Sequence, residues 1–278
     1  MRGFVVGVAE RLFAIDSDET EARRLIHRHK IWRHSFHELW QSAGVAAGMR
    51  VVDIAPGPGD SSFDLAQLVG PSGFVIGAEH PDKFARQMIA RARKREIRNL
   101  AVLGVDLETY HWPVDIADAI WGSWAFLHVR NRARLLQKLR ETLRPNGMII
   151  LQEYCDYRSW RLAPRSTEFD DYISRTISYW KDGGRDLDAG IALPGLLREA
   201  GFEIVSARTQ TFAARPKDDI WSWSSHLARR YAAVLADRGA LARNDAAALE
   251  NVLDEYEADE SSIMLTPGVF QIVARKRD

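Results

Sequence analysis

The sequence predicts an α/β fold built around one mostly parallel sheet, and three observations carry that reading. Short apolar runs rich in β-branched residues alternate with amphipathic helix-length segments between residues 51 and 152. A tight glycine-rich turn, Ala55-Pro56-Gly57-Pro58-Gly59-Asp60, directly follows the first of those runs. The chain then closes on a last apolar run, Val269 to Ala274, reached only after further helical segments.

Taken in order, residues 8–47 read as helical, with Leu12, Leu25, Ile26, Trp32, Phe36 and Leu39 recurring at three- and four-residue spacing. Val51 to Ile54 is a buried strand. Phe63, Leu65, Ala66, Leu68 and Val69 mark a helix stopped by Gly70-Pro71-Ser72-Gly73. Phe74 to Ala78 is the second strand, and Phe84, Met88 and Ile89 belong to a helix starting near Pro81-Asp82. Leu100 to Val105 and Ala117 to Trp121 are the third and fourth strands. Leu135, Leu136, Leu139 and Leu143 share a helical face that ends at Arg144-Pro145-Asn146-Gly147, and Met148 to Gln152 is the fifth strand.

After residue 153 the rhythm changes. Phe169, Tyr172, Ile173, Thr176, Ile177 and Trp180 fit an inserted amphipathic helix. Leu193 to Ala200 is a short helix capped by Gly201. Phe202 to Ala207 is a strand, and residues 217–260 read as two more helices, the first with Trp221, Trp223, Leu227 and Tyr231. Val269 to Ala274 is expected to run antiparallel to the other strands. The prediction is a Rossmann-like seven-stranded sheet, mostly parallel with a reversed last strand, carrying helical lid insertions. Residues 1–47 form an N-terminal helical lid segment, and residues 48–278 the core, with insertions at about 156–190 and 215–262.

Composition bounds the function. The 278 residues are 46% hydrophobic and 27% charged, with 38 basic and 38 acidic side chains. A nucleic-acid binder would carry a basic excess, so DNA and RNA are not the expected partners. One cysteine, Cys155, excludes an internal disulfide framework and a cysteine metal cluster. The apolar start Phe4-Val5-Val6 breaks at Glu10-Arg11, too soon for a secretory segment. No run approaches the roughly 18 apolar residues of a membrane span. A cytoplasmic protein is expected, without membrane association; a homodimer is compatible with the sequence.

The chemistry concentrates after the first strand. An acid, Asp53, near the end of that strand, a glycine turn and a helix build a nucleotide-type crevice at the carboxyl edge of the sheet. Glu79 ends the second strand about 20 residues past the turn, where an acid reaches ribose hydroxyls. Asp106 follows the third strand, placed to accept from an adenine amino group. A dinucleotide-binding fold shares the glycines and the second-strand acid, but lacks the equivalents of Asp53 and Asp106. It also takes Gly or Ala where this chain has Ser62. These differences favour S-adenosylmethionine (SAM) over NAD.

Four segments in order resemble the class I SAM-dependent methyltransferases, in their small-molecule branch related to quinone-biosynthesis and natural-product enzymes. They are the turn itself, Asp118 to His128, Leu143 to Gly147, and Leu193 to Phe202. The resemblance implies that Asp53, Ala55, Gly57 and Gly59 line the methionine and ribose part of SAM. It assigns Glu79 to the ribose, Asp106 to the adenine and the backbone near Ser123 to the methionine; Asp60, His80 and Leu107 join these contacts. The product would be S-adenosylhomocysteine (SAH). The chain departs from the family at Ala55-Pro56, where Gly-Cys or Gly-Thr is usual: Ala55 adds a methyl group at the closest approach and Pro56 removes a backbone donor. Asn146 replaces a glycine, a mild change because Asn tolerates the left-handed conformation.

Methyl transfer is an in-line displacement, so the protein mainly aligns the acceptor. A small apolar or aromatic metabolite is the expected acceptor, methylated on oxygen or nitrogen ahead of carbon; the alternative is a rearrangement or cyclisation on the same fold. His128 is the candidate base, against the plainer reading of a histidine packed at a helix start. Trp124, Trp180, Trp223, Glu153, Tyr154 and His226 are candidate substrate contacts, while the tryptophans serve equally well to glue lid helices to the core. His27, His29, His34 and His37 come without a matched ligand set, and no metal is expected. Arg91, Arg93, Lys94, Arg95 and Arg98 read as the solvated side of a helix.

Overall fold

The computed structural model describes residues 19–80 and 84–277. The first half contains α1 (Glu19–Ser42), β1 (Arg50–Ile54), α2 (Asp60–Val69), β2 (Phe74–Glu79), α3 (Ala85–Lys94), β3 (Leu100–Gly104), β4 (Ala117–Ser123), α4 (Arg132–Thr142) and β5 (Leu143–Asp156). The second contains β6 (Arg161–Ala163), α5 (Thr167–Asp182), α6 (Ala189–Glu199), β7 (Phe202–Gln210), β8 (Ala213–Ala214), α7 (Asp219–Asp237), α8 (Arg243–Ala258), β9 (Ile263–Leu265) and β10 (Gly268–Lys276). Short 3₁₀ turns span Phe126–His128 and Tyr157–Ser159.

A seven-stranded sheet in the order β3-β2-β1-β4-β5-β10-β7 forms the centre. Strands β3, β2, β1, β4 and β5 are parallel, and β10 alone runs antiparallel to its neighbours β5 and β7. The reversed last strand is therefore where the sequence places it. The chain winds outward from β1 to β3, then returns to β4 on the other side of β1. That reversal opens a crevice at the carboxyl ends of β1 and β4, where ligands bind in open α/β sheets. The strands flanking it are covered on both faces: Val51, Val52, Ile54, Ala119, Ile120 and Trp121 are buried, which explains their continuous rather than alternating hydrophobic runs.

Several boundaries differ from the sequence reading for identifiable reasons. Leu143 leaves the helix and pairs with Ala117 as the first residue of β5, because Pro145 disfavours helical backbone just ahead of it. Helix α6 begins at Ala189 and carries Pro194 in its interior. Packing overrides propensity there: a Cβ on Gly190 would lie 2.7 Å from the Tyr154 carbonyl oxygen, so the first turn sits directly on β5. The sequence reading missed the small sheet β6-β9-β8, whose strands are too short to show alternation. The expected helical stretch 8–18, including Leu12, and the helix start at Pro81-Asp82 lie outside the described residues.

Helix α1 is bound into the body of the molecule along its second half. Trp32, Phe36, Leu39 and Trp40 are buried, with Trp40 edge-on to Trp121 at 5.4 Å and Trp32 edge-on to Trp223 at 5.3 Å. Its polar side is tied to α2 through one carboxylate: Asp64 accepts from His29 at 2.9 Å, Arg33 at 2.7 Å and His37 at 3.3 Å. Burial works against that charge, but the His29 and Arg33 hydrogen bonds outweigh it and hold Asp64 well below the usual carboxylate range. Among the described residues, no helix is long and apolar enough to cross a membrane.

Candidate functional site

The ends of four strands and the helix α1 converge on a cleft. Ala55 and Gly57 follow β1, Glu79 ends β2, Ser123 and Trp124 follow from β4, and Tyr154 projects from β5; Arg24 and Arg28 of α1 close one side. The cleft holds ≈ 940 Å³ of empty space, solvent at its mouth included, which suits a small-molecule site.

The turn after β1 gets its shape from left-handed backbone at Ala55 (φ 53), Gly57 (φ 60) and Gly59 (φ 98). At Gly59 the requirement is also steric, since a Cβ would lie 2.6 Å from Met88 Cγ and 2.9 Å from Phe63 Cζ. The turn thus packs onto α3 while directing Gly57 N–H toward the cleft acid: it donates to Glu79 Oε2 at 2.7 Å, and His80 N–H donates to Oε1 at 2.8 Å. Glu79 is held in place by these backbone donors and still forms part of the cleft wall, where its other lone pairs can accept from a diol.

The acid near the end of β1 has a different role. Asp53 is 1% exposed, and its Oδ2 accepts from Ser61 and Ser62 hydroxyls at 2.7 and 2.6 Å. It staples the first turn of α2 to the strand from below the cleft. Burial pushes its carboxyl up to about 7, against the pull of the two serines. Its Oδ1 is buried without a partner, an acceptor beneath the glycine turn.

The remaining sequence candidates fall into two groups. Ser123, Trp124, Tyr154, Trp180 and His128 join Glu79 around the cleft, His128 at the exposed rim 5.6 Å from the Trp180 ring. Others lie elsewhere. Asp60 is bound by Arg91 through two hydrogen bonds of 2.6 and 2.8 Å, facing α3. Asp106 is exposed and accepts from the Glu108 and Thr109 amides, and the Leu107 carbonyl takes the Trp112 indole N–H. Glu153 is 0% exposed; its Oε1 accepts from Phe126 N–H at 2.7 Å, which anchors the 126–128 turn, and burial pushes its carboxyl up to about 8. Trp223 is core, and His226 lies on the outer side of α7 beside His27.

Sequence reasoning missed Arg24, Arg28, Tyr157, Leu187, Leu227 and Tyr231, all of which line the cleft. The i, i+4 spacing of the two arginines was readable, but not that this face of α1 turns toward the sheet edge. Of the tryptophans, Trp124 and Trp180 line the cleft, whereas Trp160, Trp221 and Trp223 pack inside the body. Arg91 and Arg95 are ion-paired to Asp60 rather than merely solvated.

A model of the methyltransferase domain matches residues 46–200. The ubiquinone/menaquinone biosynthesis C-methyltransferase UbiE of Proteus mirabilis is 28% identical over 198 residues, which is 66% of this chain and 76% of that protein. Among solved structures, the geranyl diphosphate C-methyltransferase of Streptomyces coelicolor shares the fold with a TM-score of 0.58 at 15% identity, over 95% of this chain and 86% of that one. The [4+2]-cyclase SpnF shares it with a TM-score of 0.57 at 19% identity, over 87% of this chain and 80% of that one.

Proposed function

The chain belongs to the family of class I SAM-dependent methyltransferases, and we propose that it methylates a small, largely aromatic acceptor held between α1, α7 and the ends of β4 and β5. Glu79 carries the cofactor half of this reading. It is a nearly buried carboxylate fixed by two backbone donors in the wall of the cleft, suited to accept from both ribose hydroxyls. Gly57 and the Ser123 backbone would border the methionine part, with Asp53 supporting the turn from beneath and His80 following the ribose acid. Asp106 and Leu107 sit at the neighbouring strand end, where an adenine ring would extend. Asp60 acts through the packing of α2 on α3.

When bound, the cofactor supplies an electrophilic methyl group on its sulfonium. The protein's part is alignment and exclusion of water. Trp124, Tyr154, Tyr157 and Trp180 give the acceptor a flat apolar bed. His128, at the exposed rim, is placed to take a proton and pass it to solvent if the acceptor must lose one. The N-terminal half of α1 and helix α7 serve as the cover, the role expected of the lid segments.

The sequence reading put oxygen or nitrogen ahead of carbon. The C-methyltransferase relatives support carbon instead, on an electron-rich ring such as a quinol. A second reading, a rearrangement or cyclisation, is motivated by Ala55-Pro56 and by the fold shared with a cyclase; that likeness concerns the fold alone. Incubation with methyl-labelled SAM and a panel of quinols, phenols and aromatic amines separates the two. Methylation moves label into the organic product with equivalent SAH release, whereas product formed without label transfer supports the second reading and sinks the first.

A further inference from the structure

Helix α1 presents Arg24 and Arg28 one turn apart on the face that lines the cleft. Their charges are not balanced alike. Arg24 is matched within the helix: Nε and Nη2 donate to the two Glu21 oxygens at 2.8 and 2.6 Å. Arg28 has no carboxylate within ion-pair distance among the described residues, and its Nε is buried with no hydrogen-bond partner. Its guanidinium lies over the Trp124 ring, 4.4 Å from the centroid. Burial, and then the like charge of Arg24, pulls it down to about 10. The other acid that acts on it at longer range, Glu153, accepts from the Phe126 amide through Oε1 and lies beyond ion-pair distance of Arg28.

A guanidinium turned into a partly desolvated pocket without an anion is costly unless something supplies one. Arginine is suited to carboxylates and phosphates because its planar fork donates in parallel to two oxygens. The position of the fork narrows the source. Its surroundings, Trp124 and Tyr154, belong to the ends of β4 and β5. Glu79, the proposed ribose acid, ends β2, on the other side of β1. An oxyanion at Arg28 therefore lies away from the ribose acid, at the end of the cleft where the acceptor meets the methionine part of the cofactor.

We propose that Arg28 is the receptor for an oxyanion, a carboxylate or phosphate, borne by the acceptor, so that the substrates are acidic aromatic molecules rather than neutral ones. This rests on the methyl-transfer reading of the same cleft. Arg24 is neutralised by Glu21, which leaves Arg28 as the fork available to an anion. A second source of the same chemistry exists, the methionine carboxylate of the cofactor, because Arg28 also borders a recess shared with Pro56, Ser61 and Ser123.

Calorimetry on the full chain, with and without saturating SAH, distinguishes the sources. The probes are 4-hydroxybenzoate against 4-hydroxybenzamide, and phenyl phosphate against phenol. The wild type is expected to bind the acid of each pair about tenfold more tightly than its neutral partner, a difference of one factor of ten in Kd. Arg28→Met should abolish the preference, Arg28→Lys should retain part of it, and SAH affinity should stay within about threefold in both. Absence of an acid preference in the wild type, including failure to bind either member of a pair, overturns the proposal. So does a preference that survives in Arg28→Met while SAH affinity collapses, which assigns the fork to the cofactor carboxylate. If the wild type binds no SAH yet keeps the Arg28-dependent acid preference, the methyl-transfer reading falls and the oxyanion receptor stands.

Discussion

At Ala55 a single methyl group separates this chain from the glycine usual at that place in the family. Its φ of 53 puts a side-chain-bearing residue in left-handed backbone, at a cost of about 1–2 kcal/mol, in the wall of the cleft. Ala55→Gly removes the strain and the methyl group, while greater freedom of the unfolded chain offsets up to about 1 kcal/mol of the gain. The expected result is a thermal midpoint unchanged or slightly raised, and SAH bound roughly threefold more tightly by calorimetry. Weaker binding by the glycine variant would mean that the alanine is a contact rather than an obstruction. The Glu153 carboxyl offers a second test. Its folded value of about 8 exceeds the ordinary value of about 4.3, so the native state holds the extra proton between those values. Its contribution is therefore fully present below pH ~4 and lost as pH rises through ~8. Glu153→Gln removes that loss. Unfolding free energies from urea titrations at pH 5, 7 and 9 should show the wild type falling relative to the variant by up to about 4 kcal/mol; parallel profiles would contradict the burial argument. The acids at strand ends were visible in the sequence because strand, turn and helix signals fix their positions. That Asp53 binds serines and Glu153 anchors a turn was not, since each depends on where a loop folds back.

The elements show the same division. Every strand of the large sheet could be read from short β-branched runs between turn residues, and α1 from its apolar periodicity. The tilt of α1 over the sheet could not, because a helix with Trp32, Phe36 and Trp40 on one side leaves open how far its first turns reach across the crevice. The structure makes its second half an aromatic anchor and its first half the cleft wall. Trp40 is 0% exposed, against Trp121 and Phe36, so Trp40→Ala should cost about 3–5 kcal/mol in a denaturant titration. Part of that loss should appear as weaker SAH binding, since α1 borders the cleft. A loss below 1 kcal/mol would show that α1 is not bound into the body as described.

Over the whole molecule, the fold follows from the order of its signals: five parallel strands joined by helices except between β3 and β4, then inserted helices, then a reversed strand that threads between β5 and β7. The crevice where the winding changes direction is a consequence of that order, and the proposed cofactor site lies at it. The proposed acceptor site is less legible because its walls come from α1, α5, α7 and the strand ends, elements far apart in sequence. The central claim is that Glu79 anchors the cofactor, and SAH titrated calorimetrically into the wild type and Glu79→Gln tests it most directly. The expected result is micromolar binding by the wild type and a loss of at least about tenfold in the variant, or ~1.4 kcal/mol, with circular dichroism unchanged. Equal affinity in the two proteins, or no binding by either, would contradict it.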